Sequence, residues 1–369
     1  MKVLVSGMVA GEPAQGGASW AVLQYLLGLR RLGHDVALVE PVEKIEPVSL
    51  AYLEAIAAGF GLDQVALLAA DGESAPLPRE RLVELAGDAD LLLNVSGMLA
   101  DPELLAPIPV RAYLDLDPFF NQHWQLQGAD MRFDGHTHFV TVATVIGEPG
   151  CEVPTLGLEW TTTLPPVVLE RWPLATADPT LPFTTVGHWR SYGPIEHKGR
   201  RYGLRAHALR ELIELPERSP AAFALALGIH PGDGEDIAAL EAHGWELLDP
   251  AEVAATPELY GEFVRASSGE LGVAKEGYVR SRSGWFSDRS ACYLASGRPV
   301  VAADTGFGAA LPVGEGLLAF GDVDGAAAAI ESVLSRPAEH AAAARAIAED
   351  LLDSDRVLTR LLEALGAAR

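Results

Sequence analysis

Two α/β domains, each a mostly parallel sheet flanked by helices, are predicted by three features of this sequence. Its 369 residues exceed what one hydrophobic core usually organises. The chain opens on a strand, a glycine-rich loop, a helix and a second strand, and the same alternation restarts near residue 183. Between the two runs, residues 155–182 lose their period and collect Pro165, Pro166, Pro173, Pro179 and Pro182, the composition of a connection between domains.

Taken in order, the apolar, β-branched run 2–6 reads as a strand, 7–17 as a glycine-rich loop and 18–32 as an amphipathic helix. Gly33 and His34 lead into a strand over 35–40, completing a βαβ unit long enough for a right-handed parallel crossover. Helices are expected near 49–59 and 78–85, and strands at 91–95, 111–115 and 137–145. The second half offers strands at 183–186, 222–227, 245–248 and 299–303. Helices near 206–215, 237–243 and 287–296 alternate with them, and alanine-rich helices run from 326 onward. The resulting division is an N-terminal domain over 1–170, a C-terminal domain over 183–350, and a last helix in 351–369 that packs back toward the first domain.

Composition narrows the function. A hydrophobic fraction of 49% and a charged fraction of 21% suit a globular chain with material for two cores. A formal net charge of -24 argues against nucleic acid as partner, because such readers gain affinity from clustered cations. It does not argue against a small anion, which a few local cations and backbone N–H groups can hold. The opening apolar run breaks at Gly7, no stretch approaches the ~18 apolar residues of a membrane span, and Cys151 and Cys292 are too few for a disulfide framework. A cytoplasmic protein is expected.

Several constellations could carry chemistry. The loop 7–17, with Gly16 and Gly17 at its end, follows the first strand where open α/β sheets bind ligands, yet its glycine spacing does not fit a dinucleotide fingerprint. A plain tight loop is the other reading. In the second half Gly187 and Arg190 follow a strand, and Lys198 follows shortly after; the cluster could grip phosphate or be a solvated basic turn. Near 275–289, Lys275 precedes Trp285, Phe286, Ser287, Asp288 and Arg289, with Ser287 as the N-cap of a helix. Either its free N–H groups and Lys275 receive a diphosphate, or the helix is ordinarily capped with Trp285 and Phe286 in the core. Asp115 and Asp117 end a strand on one side, suited to a cation or to a base and its partner. His136 and His138 also share a face; one is read first as a general base, then as structural, and last as half of a metal site lacking a third ligand.

The run Ser283 to Ser290, followed by Tyr293 to Val301 and Asp304 to Phe307, resembles bacterial glycosyltransferases of the GT-B fold. The likeness continues through Leu311-Pro312 and Gly314 to Leu317, and more weakly back to the glycine-rich start. It implies two Rossmann-like domains facing across a cleft. A nucleoside diphosphate sugar, of the UDP-sugar kind, would be held mainly by the second domain. A small-molecule or glycan acceptor would be held mainly by the first. No cofactor and no bound metal are implied. Arg190 and Lys198 look like the phosphate-binding Arg and Lys of such enzymes. His138, Asp117 and His136 are the candidates to take the acceptor's proton. One departure stands out: aligning Gly297 puts Cys292 where many members carry a ribose-binding glutamate. A thiol cannot accept two hydroxyl hydrogen bonds as a carboxylate does. Asp288 or Glu276 would then replace it, or the donor is held otherwise. Rival readings are a nucleotide-sugar epimerase or hydrolase on this scaffold, and a binding protein that has lost the chemistry.

Overall fold

The computed structural model describes residues 1–367. The first sheet has eight strands: β1 (Lys2–Ser6), β2 (Asp35–Val42), β3 (Val65–Ala69), β4 (Ser74–Pro76), β5 (Leu91–Val95), β6 (Val110–Asp115), β7 (His138–Thr141) and β8 (Trp160–Thr162). They lie in the order β4-β3-β2-β1-β5-β6-β7-β8. Every pair is parallel except β3 with β4. A small antiparallel hairpin, β10 (Ile195–His197) and β11 (Arg200–Tyr202), follows β9 (Phe183–His188). The remaining strands are β12 (Phe223–Gly228), β13 (Glu246–Leu248), β14 (Gly269–Gly272), β15 (Val300–Ala303) and β16 (Leu317–Phe320). With β9 they form a six-stranded sheet in the order β13-β12-β9-β14-β15-β16, all parallel.

Helices cover both faces of these sheets, so strand residues are buried on both sides and read as continuous apolar runs; Leu91, Leu92 and Leu93 are fully buried. In each sheet the chain order reverses beside the first strand, at β1 between β2 and β5 and at β9 between β12 and β14. Outside the carboxyl ends of the strands at such a reversal lies the crevice where α/β sheets take ligands.

The proline-rich stretch is only partly a connection. Residues Trp160–Thr162 form β8 on the edge of the first sheet, and Trp172, expected in a linker, is completely buried. Its indole lies 4.9 Å from that of Trp20 and 6.0 Å from the ring of Tyr260, which belong to opposite halves. Around this stack one hydrophobic cluster continues from Val3 and Leu23 through Trp172 to Tyr293 and Leu317. The two sheets therefore share packing as well as keeping their own.

The helix Ser354–Ala364 lies against the first helix, Gly16–Arg31, with Leu358 beside Gly28 and Arg31 paired to Asp355 at 3.0 Å. Residues 368–369 of the segment expected to pack there lie outside the described residues. Among the described residues, no helix is long and apolar enough to cross a membrane.

Candidate active site

The two reversals face each other, and between them is a cavity of about 600 Å³. Its first wall is the loop after β1, from Pro13 to Ala18; its second is built from the ends of β9 and from Arg205, Lys275 and Asp288. The loop is fixed from beneath by Glu40 of β2, a fully buried carboxylate that accepts the N–H groups of Ala10 at 2.8 Å and Gly11 at 2.6 Å. Nothing in the local sequence marked Glu40, because its partners come from a loop some thirty residues earlier.

Gly16 and Gly17 lie at the seam. The Gly16 amide donates to the carbonyl of Ala254 at 2.9 Å, and a methyl group on Gly16 would overlap the Thr256 carbonyl. A methyl on Gly17 would come 2.9 Å from the Tyr260 ring, and Gly17 itself lines the cavity. Gly16 thus serves the contact between halves, while Gly17 shapes the cavity wall.

The phosphate-binding pair inferred from resemblance does not assemble at this cavity. Arg190 turns toward Asp233 and Asp236, at 2.8 and 3.6 Å, which follow β12. Lys198 sits in the turn of the β10–β11 hairpin, exposed and with φ +50°. The hairpin carries it to a tip, and the two aspartates capture Arg190. A different arginine, Arg205, lines the cavity. Among the described residues no carboxylate lies within ion-pair reach of it; Nη1 donates to the His188 carbonyl and Nε to that of Val273, each at 3.2 Å. Burial, with Arg289 second, pulls its guanidinium down to about 9, so it stays charged at neutral pH. Gly187 makes this placement possible: its φ is +151°, and any side chain there would run into Nη1 of Arg205.

Lys275 is the second cation of the cavity. Its Nζ donates to Asp117 Oδ2 at 2.8 Å and contacts the hydroxyl of Tyr192. The rings of Tyr192, Phe120 and Tyr278 surround it, with Nζ at 4.4, 5.2 and 5.2 Å from their centres. Asp117 accepts the hydroxyl of Tyr278 as well. Asp115, two residues back at the end of β6, is closed off: Asn121, Gln122 and Thr141 donate to it at 2.7, 2.7 and 2.8 Å. Burial pushes its carboxyl up to about 6 despite those donors. The two aspartates thus do not form an open pair. His136 has both ring nitrogens engaged, by Asn94 and the Arg132 carbonyl, and does not line the cavity. His138 begins β7 opposite Ala112, while the carboxyl ends of those strands are Asp115 and Thr141. Neither histidine reaches the crevice, but His188 does; its Nε2 lies 3.0 Å from Gln15 Oε1 across the cavity mouth. Burial, followed by Arg205, lowers its pKa and keeps the imidazole neutral.

The helix Asp288–Ala295 starts on Ser287, whose Oγ accepts the Arg289 N–H at 3.2 Å. Asp288 already brings a negative charge to this end and opens into the cavity, with burial of its surroundings raising its pKa. Phe286 is in the shared core and Trp285 stacks on Tyr278 at 4.4 Å. Arg289 reaches the cavity floor but is bound to buried Glu270 at 2.5 Å. Cys292 is buried against Gln24, and Glu276 accepts the Gly203 N–H at 2.8 Å. Of the acids considered for the ribose, Asp288 alone lines the cavity.

No family model matches the chain, and no curated protein does. Solved structures do resemble it along its whole length. HepE of Anabaena in complex with UDP and glucose is 13% identical with a TM-score of 0.61, over 100% of both chains. An alpha-glucosyltransferase in complex with UDP is 11% identical with a TM-score of 0.63, over 99% of each. The same kind of enzyme with UDP-glucose and DNA containing an abasic site is 12% identical, with a TM-score of 0.61 over 99% and 98%. The chain has the GT-B fold, two Rossmann-like domains facing across a cleft.

Proposed function

We propose that this protein transfers a glycosyl group from a nucleoside diphosphate sugar to an acceptor hydroxyl. The observation that carries the reading is the convergence of Arg205 and Lys275 on one cavity at the carboxyl edges of both sheets. Two cations converging on one crevice stabilise the negative charge that grows on a departing diphosphate. The fold likeness to glycosyltransferases solved with UDP and UDP-glucose supports the same donor class, a UDP-sugar. Asp117 is the candidate acceptor base that bonds directly to Lys275, a residue of the cavity wall. The acceptor is proposed to be a small molecule or glycan. One neighbour was solved with DNA, but a net charge of -24 disfavours a polyanion here.

Calorimetric titration with UDP and a panel of UDP-sugars tests this, alongside assays of UDP release with and without acceptors. Charge-assisted hydrogen bonds contribute about 1.5–3 kcal/mol, so Arg205→Ala is expected to weaken UDP binding by roughly 10- to 100-fold. Arg190→Ala and Lys198→Ala should change it by less than about twofold, since both lie off the cavity. Equal losses from all three would refute the assignment of the phosphate site. Donor consumption that proceeds equally fast without any acceptor would favour an epimerase or hydrolase.

A further inference from the structure

The contact between Asp117 and Lys275 joins the two groups that the transfer reaction would need apart. Asp117 and Phe120 come from the first domain; Lys275, Tyr192 and Tyr278 come from the second. In this arrangement Asp117 Oδ2 takes the Lys275 ammonium, and its other oxygen takes the Tyr278 hydroxyl. The Tyr192 hydroxyl bridges the carboxylate and the ammonium, at 2.6 Å from Asp117. Phe120 and Trp124 pack on the Tyr192 ring at 4.9 and 4.7 Å, which holds the bridge in place. Neighbouring contacts also span the domains: Gln15 with His188, and Thr144 with the Gly284 carbonyl at 2.9 Å.

We propose that Asp117, besides standing as the acceptor base, withholds Lys275 in the empty protein and yields it to an incoming diphosphate, so that the donor must bind before Asp117 can serve the acceptor. The inference rests on the proposed function for what the diphosphate is attached to.

The argument is one of charge. Lys275 and Arg205 face the same cavity, and Asp117 is the carboxylate that neutralises one of them. A diphosphate carries more negative charge than one carboxylate and can engage both cations together, whereas Asp117 reaches Lys275 alone. Where both compete for the same ammonium, the carboxylate repels the phosphate oxygens as well as occupying their partner. Once displaced, Asp117 loses its partner cation and its Oδ2 is freed to face the acceptor hydroxyl. Its remaining neighbours are the hydroxyls of Tyr192 and Tyr278, the amide donation of Asp117 to Asp115, and Arg205 and His188 farther along the wall. The exchange costs no covalent step and explains how the order of binding can be set without a moving lid.

The test uses the full chain and two readouts. In the first, Lys275 is methylated reductively at fixed pH without ligand and its modification is followed by mass spectrometry, in wild type and in Asp117→Asn. With its counter-charge removed and its burial unchanged, Lys275 should be labelled several-fold faster in the variant, and inorganic pyrophosphate should protect it in both. The second readout is affinity for pyrophosphate and for UDP. Asp117→Asn should bind both about five- to tenfold more tightly, with a lower donor KM and a lower kcat, and Asp117→Glu should return affinity toward wild type. Tyr192→Phe, a milder change, should shift labelling in the same direction by a smaller factor. Unchanged labelling, or pyrophosphate binding that is equal or weaker in Asp117→Asn, would overturn the inference. Pyrophosphate protection without any binding of nucleoside diphosphates would sink the proposed function and leave the exchange standing.

Discussion

At position 187 the backbone has to do two things at once. It adopts φ +151°, and it leaves the space that the Arg205 guanidinium occupies. Gly187→Ala therefore combines backbone strain of order 1–3 kcal/mol with displacement of a cation from the cavity. The expected result is a loss of UDP affinity of about tenfold or more at an otherwise modest drop in melting temperature, read by calorimetry and thermal unfolding on the same sample. A change in melting temperature alone would show that Arg205 can settle elsewhere. The same residue explains why the cation pair was hard to read from sequence. Arg190, Lys198, Arg200, Arg201 and Arg205 fall within sixteen positions, and only the fold decides which of them meets aspartates and which meets the cavity.

Among the elements, those buried on both faces were the ones that local pattern revealed. The strand at 91–95 has the observed bounds, and 183–186 and 222–227 differ from theirs by two residues or fewer at each end, because continuous apolar runs flanked by turns leave little ambiguity. The helix expected over 206–215 is instead Arg205–Glu211 followed by a separate short turn at Leu215–Arg218, with Pro216 at its second position preventing continuation. The helix Pro257–Arg265 went unread although it carries a start signal, Thr256 as cap and proline at the first position. The β10–β11 hairpin and the helix Phe120–Leu126 were not legible; both are short, and their aromatic and basic residues follow contacts between domains instead of a local period. The helix Ser354–Ala364 illustrates how such contacts stabilise an element. Leu358 is fully buried against the first helix, so Leu358→Ala should cost about 2–5 kcal/mol in urea unfolding while leaving the cavity residues in place. Retained UDP affinity in that variant at low temperature would separate its packing role from ligand binding.

For the whole molecule, the seam between the halves also carries a titratable contact. His123 of the first domain lies ring against ring with His197 of the hairpin, 4.4 Å between centres, and its buried Nε2 has no hydrogen-bond partner among the described residues. Burial, followed by His197 and Lys198, pulls the His123 imidazole from its ordinary 6.5 down to about 4. The folded protein thus binds fewer protons there than the unfolded chain over that window. Stability from this group is complete above pH 6.5 and is lost as pH falls toward 4, by at most about 3 kcal/mol. Asp115, raised to about 6, acts with the opposite sign and partly masks the trend, since its contribution is greatest at low pH and is lost as pH rises through 6. His123→Phe should therefore lose less stability than wild type between pH 7 and pH 5 in paired urea melts; parallel losses would show that the ring is not the sensor. The docking of Ser354–Ala364 on Gly16–Arg31 has a different kind of consequence, one for biosynthesis. The helix Ser354–Ala364 is translated more than three hundred codons after the helix Gly16–Arg31 that it covers. At ~5–20 residues per second that is a wait of roughly 20–60 s with leucines bare to solvent, long enough for a chaperone to engage the nascent lobe.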